Sequence, residues 1–377
     1  MRAIKASLSL THNCNLRCRY CYGGRKFKKD MSFATVQKVV DFIFRVSPPE
    51  QKISFTFFGG EPFLCFDLIQ RAVEYINNQV RARDRLVDFS ITSNGTLLSE
   101  EILDFLNKEN ITLCISIDGT RHVHNKYRRF PDGRGSFDDV VEKLHLSLRK
   151  LGEVQVNTVY SPDTLDSLSE CVSFFTQLGI SSIHLNPNIR ASWTKQVLPR
   201  FRKTYRKIAD LYIEKYQQSQ EIAVNLIDSK IILFLKGGYF ALDRCMMGET
   251  EWGFAPSGNI YPCERLIGED DGQLCLGNVH SGLNKKLQCE LIGNREIQNE
   301  ECRSCSLRKY CMNSCGCTNF HMTGSPNLTS STMCASEKAA IDAAKQVLLS
   351  LKENDLFIDH FMQYLHEEQI QPFTSMV

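Results

Sequence analysis

The cysteines constrain this chain more than any other feature. There are 16 of them in 377 residues, and they are grouped. Three fall between Cys14 and Cys21, ten fall between Cys245 and Cys334, and Cys65, Cys114 and Cys171 stand apart. The start, Met1-Arg2-Ala3-Ile4-Lys5, lacks the apolar run of a signal peptide. No window approaches the roughly 18 uncharged apolar residues of a membrane span. A chain expected in the cytoplasm keeps its thiols reduced, so this many cysteines point to metal or redox chemistry rather than to disulfides. Lys+Arg of 45 against Asp+Glu of 43 leaves a net charge of +2, which gives no electrostatic case for nucleic acid or a membrane surface as partner.

The first half alternates two patterns. Short apolar runs bounded by turn residues predict strands at Ile4–Leu10, Ile53–Phe57, Val87–Thr92, Ile111–Ile117, Val154–Tyr160 and Ser182–Asn186. Amphipathic stretches between them predict helices at Ser32–Val46, Cys65–Val80, Glu100–Asn107, Phe137–Leu151 and Leu165–Leu178. Strands each followed by a helix form parallel βα units. The pattern ends near residue 190, short of the roughly 250 residues of a closed eight-fold barrel. The fold class is therefore α/β, an open, partial (β/α)6 TIM barrel over residues 1–195. A helical linker at 196–239 carries a basic amphipathic helix, about Val197–Gln218. The cysteine-rich region at 240–335 is rich in Gly, Pro and Asn, as expected where metal rather than apolar burial holds the fold. Two helices, about Ser336–Leu351 and Asp355–Glu368, occupy residues 336–377.

Cys14-Asn15-Leu16-Arg17-Cys18-Arg19-Tyr20-Cys21 follows the first strand directly, at the strand end where barrel enzymes gather their chemistry. Three thiolates in one tight loop hold three corners of a cubane iron–sulfur cluster and leave the fourth iron open for a substrate. A zinc loop closed by His12 is the plainer alternative. The CxxxCxxC spacing, with Tyr20 before its last cysteine, resembles the radical S-adenosylmethionine superfamily. That resemblance implies a 4Fe–4S cluster on Cys14, Cys18 and Cys21, with S-adenosylmethionine chelated at the open iron. It also implies reductive cleavage to a 5′-deoxyadenosyl radical. Gly59-Gly60-Glu61-Pro62 is similar to the GGEP motif that binds the methionine amino group: the glycines allow close backbone approach, and Glu61 offers an acceptor to an ammonium. Thr92-Ser93-Asn94-Gly95 lies at the level of ribose contacts, with Asn94 as the candidate and an ordinary Asn-Gly turn as the alternative. Ser116-Ile117-Asp118-Gly119 resembles the family's SIDG, with Ser116 facing the cofactor. His124-Asn125-Lys126-Tyr127-Arg128 resembles the HDxxR that follows, with Arg128, or its neighbour Arg129, pairing the methionine carboxylate. Asn125 departs from the family's Asp. Leu185 on the sixth strand either packs on adenine or fills the barrel.

The second array runs Cys245, twelve residues, Gly258, four residues, Cys263, then Cys302-x2-Cys305-x5-Cys311-x3-Cys315, and later Cys334. Paired zinc ribbons would suit such spacings. The seven positions resemble the SPASM extension of the same superfamily. By that resemblance Cys302, Cys305, Cys311 and Cys334 ligate one auxiliary 4Fe–4S cluster, and Cys245, Cys263 and Cys315 ligate another, for three clusters in all. A further cysteine just before the position of Cys245, present in sulfatase maturases, is missing. The remaining ligand is then Cys317, Asp243, Cys275 or Cys289, or else the iron is open to a substrate thiolate. Cys65, Cys114 and Cys171 sit among apolar residues and are expected to be core thiols. The stripe Arg200, Arg202, Lys203, Arg206 and Lys207 reads as a solvated face or a contact for an acidic peptide.

The resemblance implies a maturase of a ribosomally made peptide, forming a thioether or carbon–carbon crosslink or a similar change. An anaerobic sulfatase maturase, oxidising Ser or Cys to formylglycine, is the second reading. It wants an Asp after the second cysteine of the array, where this chain has Glu264, one methylene longer; Glu264 is the one candidate for a catalytic base. A non-catalytic iron–sulfur electron carrier is the third reading. Because the barrel begins at Ile4, a leader peptide is expected to need a separate binding protein or an exposed strand edge. A flavodoxin- or ferredoxin-type protein is the expected reductant.

Overall fold

The computed structural model describes residues 3–240, 243, 245–293, 296–312 and 315–362. It divides into two compact units. The first comprises Met1–Ser116, His124–Val154 and Met246–Arg295, and the second Ile117–Val123, Gln155–Cys245 and Glu296–Val377.

In the first unit β1 (Ile4–Ser9) leads through the cysteine loop to α1 (Phe33–Val46). There follow β2 (Ile53–Phe58), α2 (Phe66–Arg83), β3 (Val87–Ser93), α3 (Glu100–Lys108) and β4 (Ile111–Ser116). Next come α4 (Arg121–Tyr127) and α5 (Phe137–Leu151). The second unit holds β5 (Gln155–Tyr160), α6 (Leu168–Gln177), β6 (Ser182–Pro187), α7 (Leu198–Gln217), β7 (Ala223–Val224) and α8 (Asn225–Leu235). The chain then returns to the first unit with β8 (Glu251–Phe254), β9 (Asn259–Tyr261), β10 (Gly277–Asn278), β11 (Gly282–Leu283) and α9 (Lys285–Gly293). It ends in the second unit with α10 (Glu300–Arg303), α11 (Gly316–Thr323), α12 (Ser331–Leu351) and α13 (Asp355–Met362).

All six expected strands are present, and the α/β class with parallel pairing holds. In the first unit β1 to β4 pair in chain order, with Ile4 opposite Ile53, Phe55 opposite Phe89 and Ile91 opposite Leu113. In the second, β5 pairs with β6 and β6 with β7, again in parallel. Strand side chains alternate between two faces. Ala6, Leu8, Phe55, Phe57, Ile91, Leu113 and Ile115 are buried on one face, and the inner sides of α1 and α2 supply Val36, Val39, Val40, Ile69, Val73 and Ile76 to the same core. The other face is polar: Ser7, Ser9, Thr56, Ser90, Thr92, Cys114 and Ser116 lie on it, with the Thr56 and Ser90 hydroxyls 2.9 Å apart. A parallel sheet normally reads as apolar on both faces, so this one leaves a face free for polar contacts.

Helix starts follow their caps. Ser32 accepts from the Thr35 N–H, Ser99 from Ile102, and Ser330 from Met333, each satisfying a donor the helix leaves open. The Ser330 cap starts α12 five residues before the expected Ser336, which puts Cys334 inside its first turn. In the second unit α12 packs along α7; its buried Ala339, Ala340, Ala343 and Ala344 let the two backbones approach around Tyr205, Tyr212 and Tyr216.

Five strands were not foreseen, the short β7 and the series β8 to β11. β8 pairs in parallel with β1, on the side away from β2, and β9, β10 and β11 continue antiparallel from it. Four residues with a central glycine, Glu251-Trp252-Gly253-Phe254, carry too little periodicity to read as a strand. The terminal helix is described to Met362; the expected continuation to Glu368 lies outside the described residues.

Candidate functional site

The loop after β1 is strapped on both sides by backbone hydrogen bonds of the first unit. From the β2 end, the Gly60 N–H donates to Thr11 O at 2.7 Å and the Glu61 N–H to Asn13 O at 2.9 Å. From the other side, the Arg17 N–H donates to Arg129 O at 2.7 Å and the Arg19 N–H to Tyr127 O at 3.1 Å. The approach at Gly60 is so close that a Cβ there would lie 1.9 Å from Asn13 O. Gly59 takes a positive φ of 133°. Both glycines of the motif are thus needed by the backbone.

Each cysteine of the loop has a nitrogen donor aimed at its sulfur. Cys14 Sγ accepts from the Leu16 N–H at 3.4 Å and from Asn94 Nδ2 at 3.7 Å. Cys18 Sγ receives Arg128 Nη1 at 3.9 Å, and Cys21 Sγ receives Lys26 Nζ at 3.0 Å. Burial, and secondarily the Glu61 carboxylate, pushes the Cys14 thiol up. A thiolate there is favoured only beside positive charge. Arg128 on Cys18 and Lys26 on Cys21 supply that charge, and the Leu16 and Asn94 amides add neutral donors on Cys14, so the residues fit an iron cluster.

Glu61 is fully buried, and its carboxylate is held by the protein. Oε1 accepts from the Phe63 N–H at 3.2 Å and from Ser93 Oγ at 2.9 Å; Oε2 accepts from the Asn94 N–H at 2.8 Å. It ties the end of β2 to the end of β3. Burial raises its pKa to about 7 against these three bonds. Asn94 is both turn and contact: Oδ1 accepts from the Thr96 N–H at 3.0 Å, while Nδ2 reaches Asn15 Oδ1 at 2.8 Å as well as the Cys14 sulfur.

Arg128 and Arg129 separate cleanly. Arg128 is buried, lies 5.4 Å from the Tyr20 ring centroid and reaches Cys18. Arg129 spends its guanidinium on its own turn, donating to Asn125 O at 2.8 Å and Gly133 O at 3.0 Å. Asn125 accepts from the Phe137 N–H at 3.0 Å and so caps the start of α5, a bond an amide makes as well as a carboxylate. His124 bonds Ser136 Oγ at 2.9 Å in the interior. Cys114, expected among core thiols, shares the polar face with Thr92 and Ser116; burial raises its thiol to about 12 and Arg128 opposes. Cys171 is a core thiol, packed where a Cβ on Gly119 would fall. Leu185 is buried, as is Ile183 on the same strand.

Part of the second array lies in the first unit. A Cβ on Gly253 of β8 would lie 2.7 Å from the Glu264 backbone, so the turn after Cys263 rests directly on that strand. Glu264 Oε2 accepts from Cys263 Sγ at 3.3 Å. Tyr22 is close to both cysteine groups: burial raises its phenol, and so do the charges of Glu264, Cys21 and Cys263, while Arg265 opposes them. Cys275 donates to Gly277 O at 3.1 Å and packs on Ala255, Tyr261 and Ile267, while Cys289 is exposed.

The rest lies in the second unit. Cys302 is in α10, Cys305 and Cys311 flank a short 3-10 turn, and Cys334 is in α12. Cys315 Sγ is 3.7 Å from Cys317 Sγ, which is buried. Asp243 is engaged locally, taking Lys236 Nζ at 2.6 Å and the Phe240 N–H at 3.0 Å. Of the basic stripe, Arg200 pairs with Asp166 at 2.8 Å and Arg202 with Asp342 at 3.2 Å, which supports a solvated face. Sequence reasoning missed Lys26, Asn15 and Tyr22, whose positions carry no spacing signal.

Residues 8–175 match the Radical SAM superfamily. They are a radical SAM domain. The cysteine-type anaerobic sulfatase-maturating enzyme of Clostridium novyi is 24% identical over 322 residues, 80% of this chain and 85% of that one. The solved structure of anSMEcpe with bound AdoMet and the Cp18Cys peptide aligns with a TM-score of 0.79 over 92% of this chain and 99% of that one, at 19% identity. Streptococcus suis SuiB bound to precursor peptide SuiA aligns with a TM-score of 0.61 over 88% and 76% of the two chains, at 17% identity. The structural likeness extends well past the radical SAM domain, over the cysteine array. The chain thus carries a radical SAM domain, and it is similar to anaerobic sulfatase-maturating enzymes. Among the described residues no helix is long and apolar enough to cross a membrane.

Proposed function

We propose that this enzyme binds S-adenosylmethionine at a cluster held by Cys14, Cys18 and Cys21 and modifies a residue of a ribosomally made peptide, installing a thioether or carbon–carbon crosslink or a similar change. The observation that carries the reading is the donor set at the end of β1, three thiols in one loop with a nitrogen directed at every sulfur. When bound, the cluster and its ligand supply one-electron cleavage of the sulfonium and a 5′-deoxyadenosyl radical that takes a substrate hydrogen. The chain's own residues orient that ligand. Gly59 and Gly60 present bare backbone to its amino group. Arg128 offers a guanidinium to its carboxylate, and Asn94 and Ser116 lie on the ribose side. Glu61 fixes the β2 and β3 ends so that these groups stay in register.

The array reads as two auxiliary 4Fe–4S clusters, one on Cys302, Cys305, Cys311 and Cys334, the other on Cys245, Cys263 and Cys315. The contact between Cys315 and Cys317 supports Cys317 as the remaining ligand over Asp243, Cys275 and Cys289. A peptide substrate, a separate leader-binding protein, a flavodoxin- or ferredoxin-type reductant and a cytoplasmic setting complete the reading.

A sulfatase maturase is the second reading, favoured by the Clostridium relative; Glu264 keeps a carboxylate beside Cys263, one methylene longer than the Asp that reading wants. Anaerobic reconstitution with dithionite and S-adenosylmethionine tests the common part. We expect 5′-deoxyadenosine, and a loss of about four iron per chain in the Cys14→Ala/Cys18→Ala/Cys21→Ala variant. Iron uptake without any cleavage would leave an electron carrier. Trapping the product with a hydrazide separates the two enzymes: formylglycine reacts, a crosslink does not.

A further inference from the structure

We infer that Lys26 sets the reduction potential of the cluster held by Cys14, Cys18 and Cys21, an inference that rests on the reading of those cysteines as its ligands. Lys26 Nζ lies 3.0 Å from Cys21 Sγ. This is closer than the Leu16 N–H and Asn94 amide on Cys14, at 3.4 and 3.7 Å, and the guanidinium on Cys18, at 3.9 Å. The local sequence keeps room for it. A Cβ on Gly23 would lie 3.2 Å from Lys26 Nζ and 3.6 Å from Cys21 Sγ, so a side chain there would crowd the lysine where it meets the sulfur.

The physics fixes the sign. One-electron reduction adds a negative charge to the cluster and its thiolates. An ammonium in hydrogen-bond contact with one of those sulfurs stabilises the reduced state more than the oxidised one. The cluster is therefore easier to reduce with Lys26 present. Lys26 touches a ligand rather than a reacting atom, so it is a positioning residue, and its effect is read as a potential. The side chain is half-buried, so salt screens part of the effect.

The test is a redox titration of the reconstituted holoenzyme with dithionite and mediators, followed by EPR. The signal that changes on adding S-adenosylmethionine, and that is absent from the Cys14→Ala/Cys18→Ala/Cys21→Ala variant, identifies the cluster in question. In Lys26→Met we expect unchanged iron content and a reduced-to-oxidised ratio about tenfold lower at the same poise, about 59 mV for a one-electron couple. Lys26→Arg should recover most of the difference, and added salt should narrow it. A wild-type ratio in Lys26→Met overturns the inference. So does an arginine variant no better than methionine, because charge would then not be the agent. Iron loss in both variants overturns it in favour of a structural role. A wild-type chain that loads no iron on the triad overturns the ligand assignment itself, and this inference with it.

Discussion

Lys230 and Glu337 meet at 2.6 Å in the interior of the second unit, with side chains only 2% and 9% exposed. The pair does more than neutralise itself. Glu337 Oε2 also accepts the Met312 N–H at 2.6 Å, and Lys230 Nζ donates to Tyr310 O at 3.2 Å. Between those two backbone groups lies Cys311, and three residues before Glu337 on the same helix lies Cys334. Two cysteines of the array are thus fixed to one buried ion pair. Removing one partner leaves a buried charge uncompensated, so Lys230→Met or Glu337→Leu should destabilise the protein by about 3–5 kcal/mol. The double variant should recover much of that loss. Urea denaturation of the single and double variants checks this, and additive losses would count against the coupling.

Glu61 predicts a pH dependence. Its pKa in the folded protein, about 7, lies above the ordinary 4.5. The folded state therefore holds this proton more tightly than the unfolded state. The stability it contributes is complete below about pH 4.5 and declines as pH rises through about 7. Glu61→Gln should remove that part of the slope. It also turns an amide N–H toward the Asn94 or Ser93 donor, for an overall loss of about 1–3 kcal/mol. Denaturation midpoints from about pH 5 to about pH 8 for both proteins would show the two slopes; equal slopes would refute the assignment.

Gly60 should not tolerate a side chain. A Cβ 1.9 Å from Asn13 O meets backbone rather than the end of a flexible group. The strap from Gly60 and Glu61 to the cysteine loop must then shift. Gly60→Ala should lose about 1–3 kcal/mol of stability and most of its affinity for S-adenosylmethionine. Equilibrium dialysis with the reconstituted enzyme is the direct measurement, and near-normal affinity would show that the strap yields.

The assignment of Cys317 is open to a paired comparison. Cys317→Ser should lower iron content by about four per chain, while Asp243→Asn, at a side chain already engaged by Lys236 and Phe240, should leave it unchanged. The opposite pattern would transfer the role to Asp243.

Much of the barrel half was legible because apolar periodicity and turn residues are local signals. Each of the six strands begins and ends within a residue of its expected bounds, and α5 coincides with Phe137–Leu151. The cysteine loop was legible because its chemistry is written in spacing. Most of what escaped was non-local. The Lys26 contact is local, five residues from Cys21, but no spacing rule says that its ammonium turns back to that sulfur. Nothing near Lys230 names Glu337 as its partner. Nothing near Glu61 names Ser93 and Asn94, at the end of another strand, as partners of its carboxylate. The start of α12 was placed at Ser336 because the cap at Ser330 sits in a run of Ser and Thr, where several positions compete.

The pairing of β8 with β1 bears on the order in which this protein is made. Lys5 lies opposite Glu251, so the edge of β1 stays open until two thirds of the chain has left the ribosome. Loop-closure entropy delays such a pairing further, whereas β2 and β3 find their neighbours across short connections. An unpaired strand edge invites association with other chains. The cysteine loop grows from that same strand, so synthesis leaves an interval in which the loop exists while its flanking edge is bare. Pulse-labelled hydrogen exchange during refolding should show the amides of Glu251–Phe254 protected after those of Ile53–Phe58; simultaneous protection would mean the sheet closes as one piece.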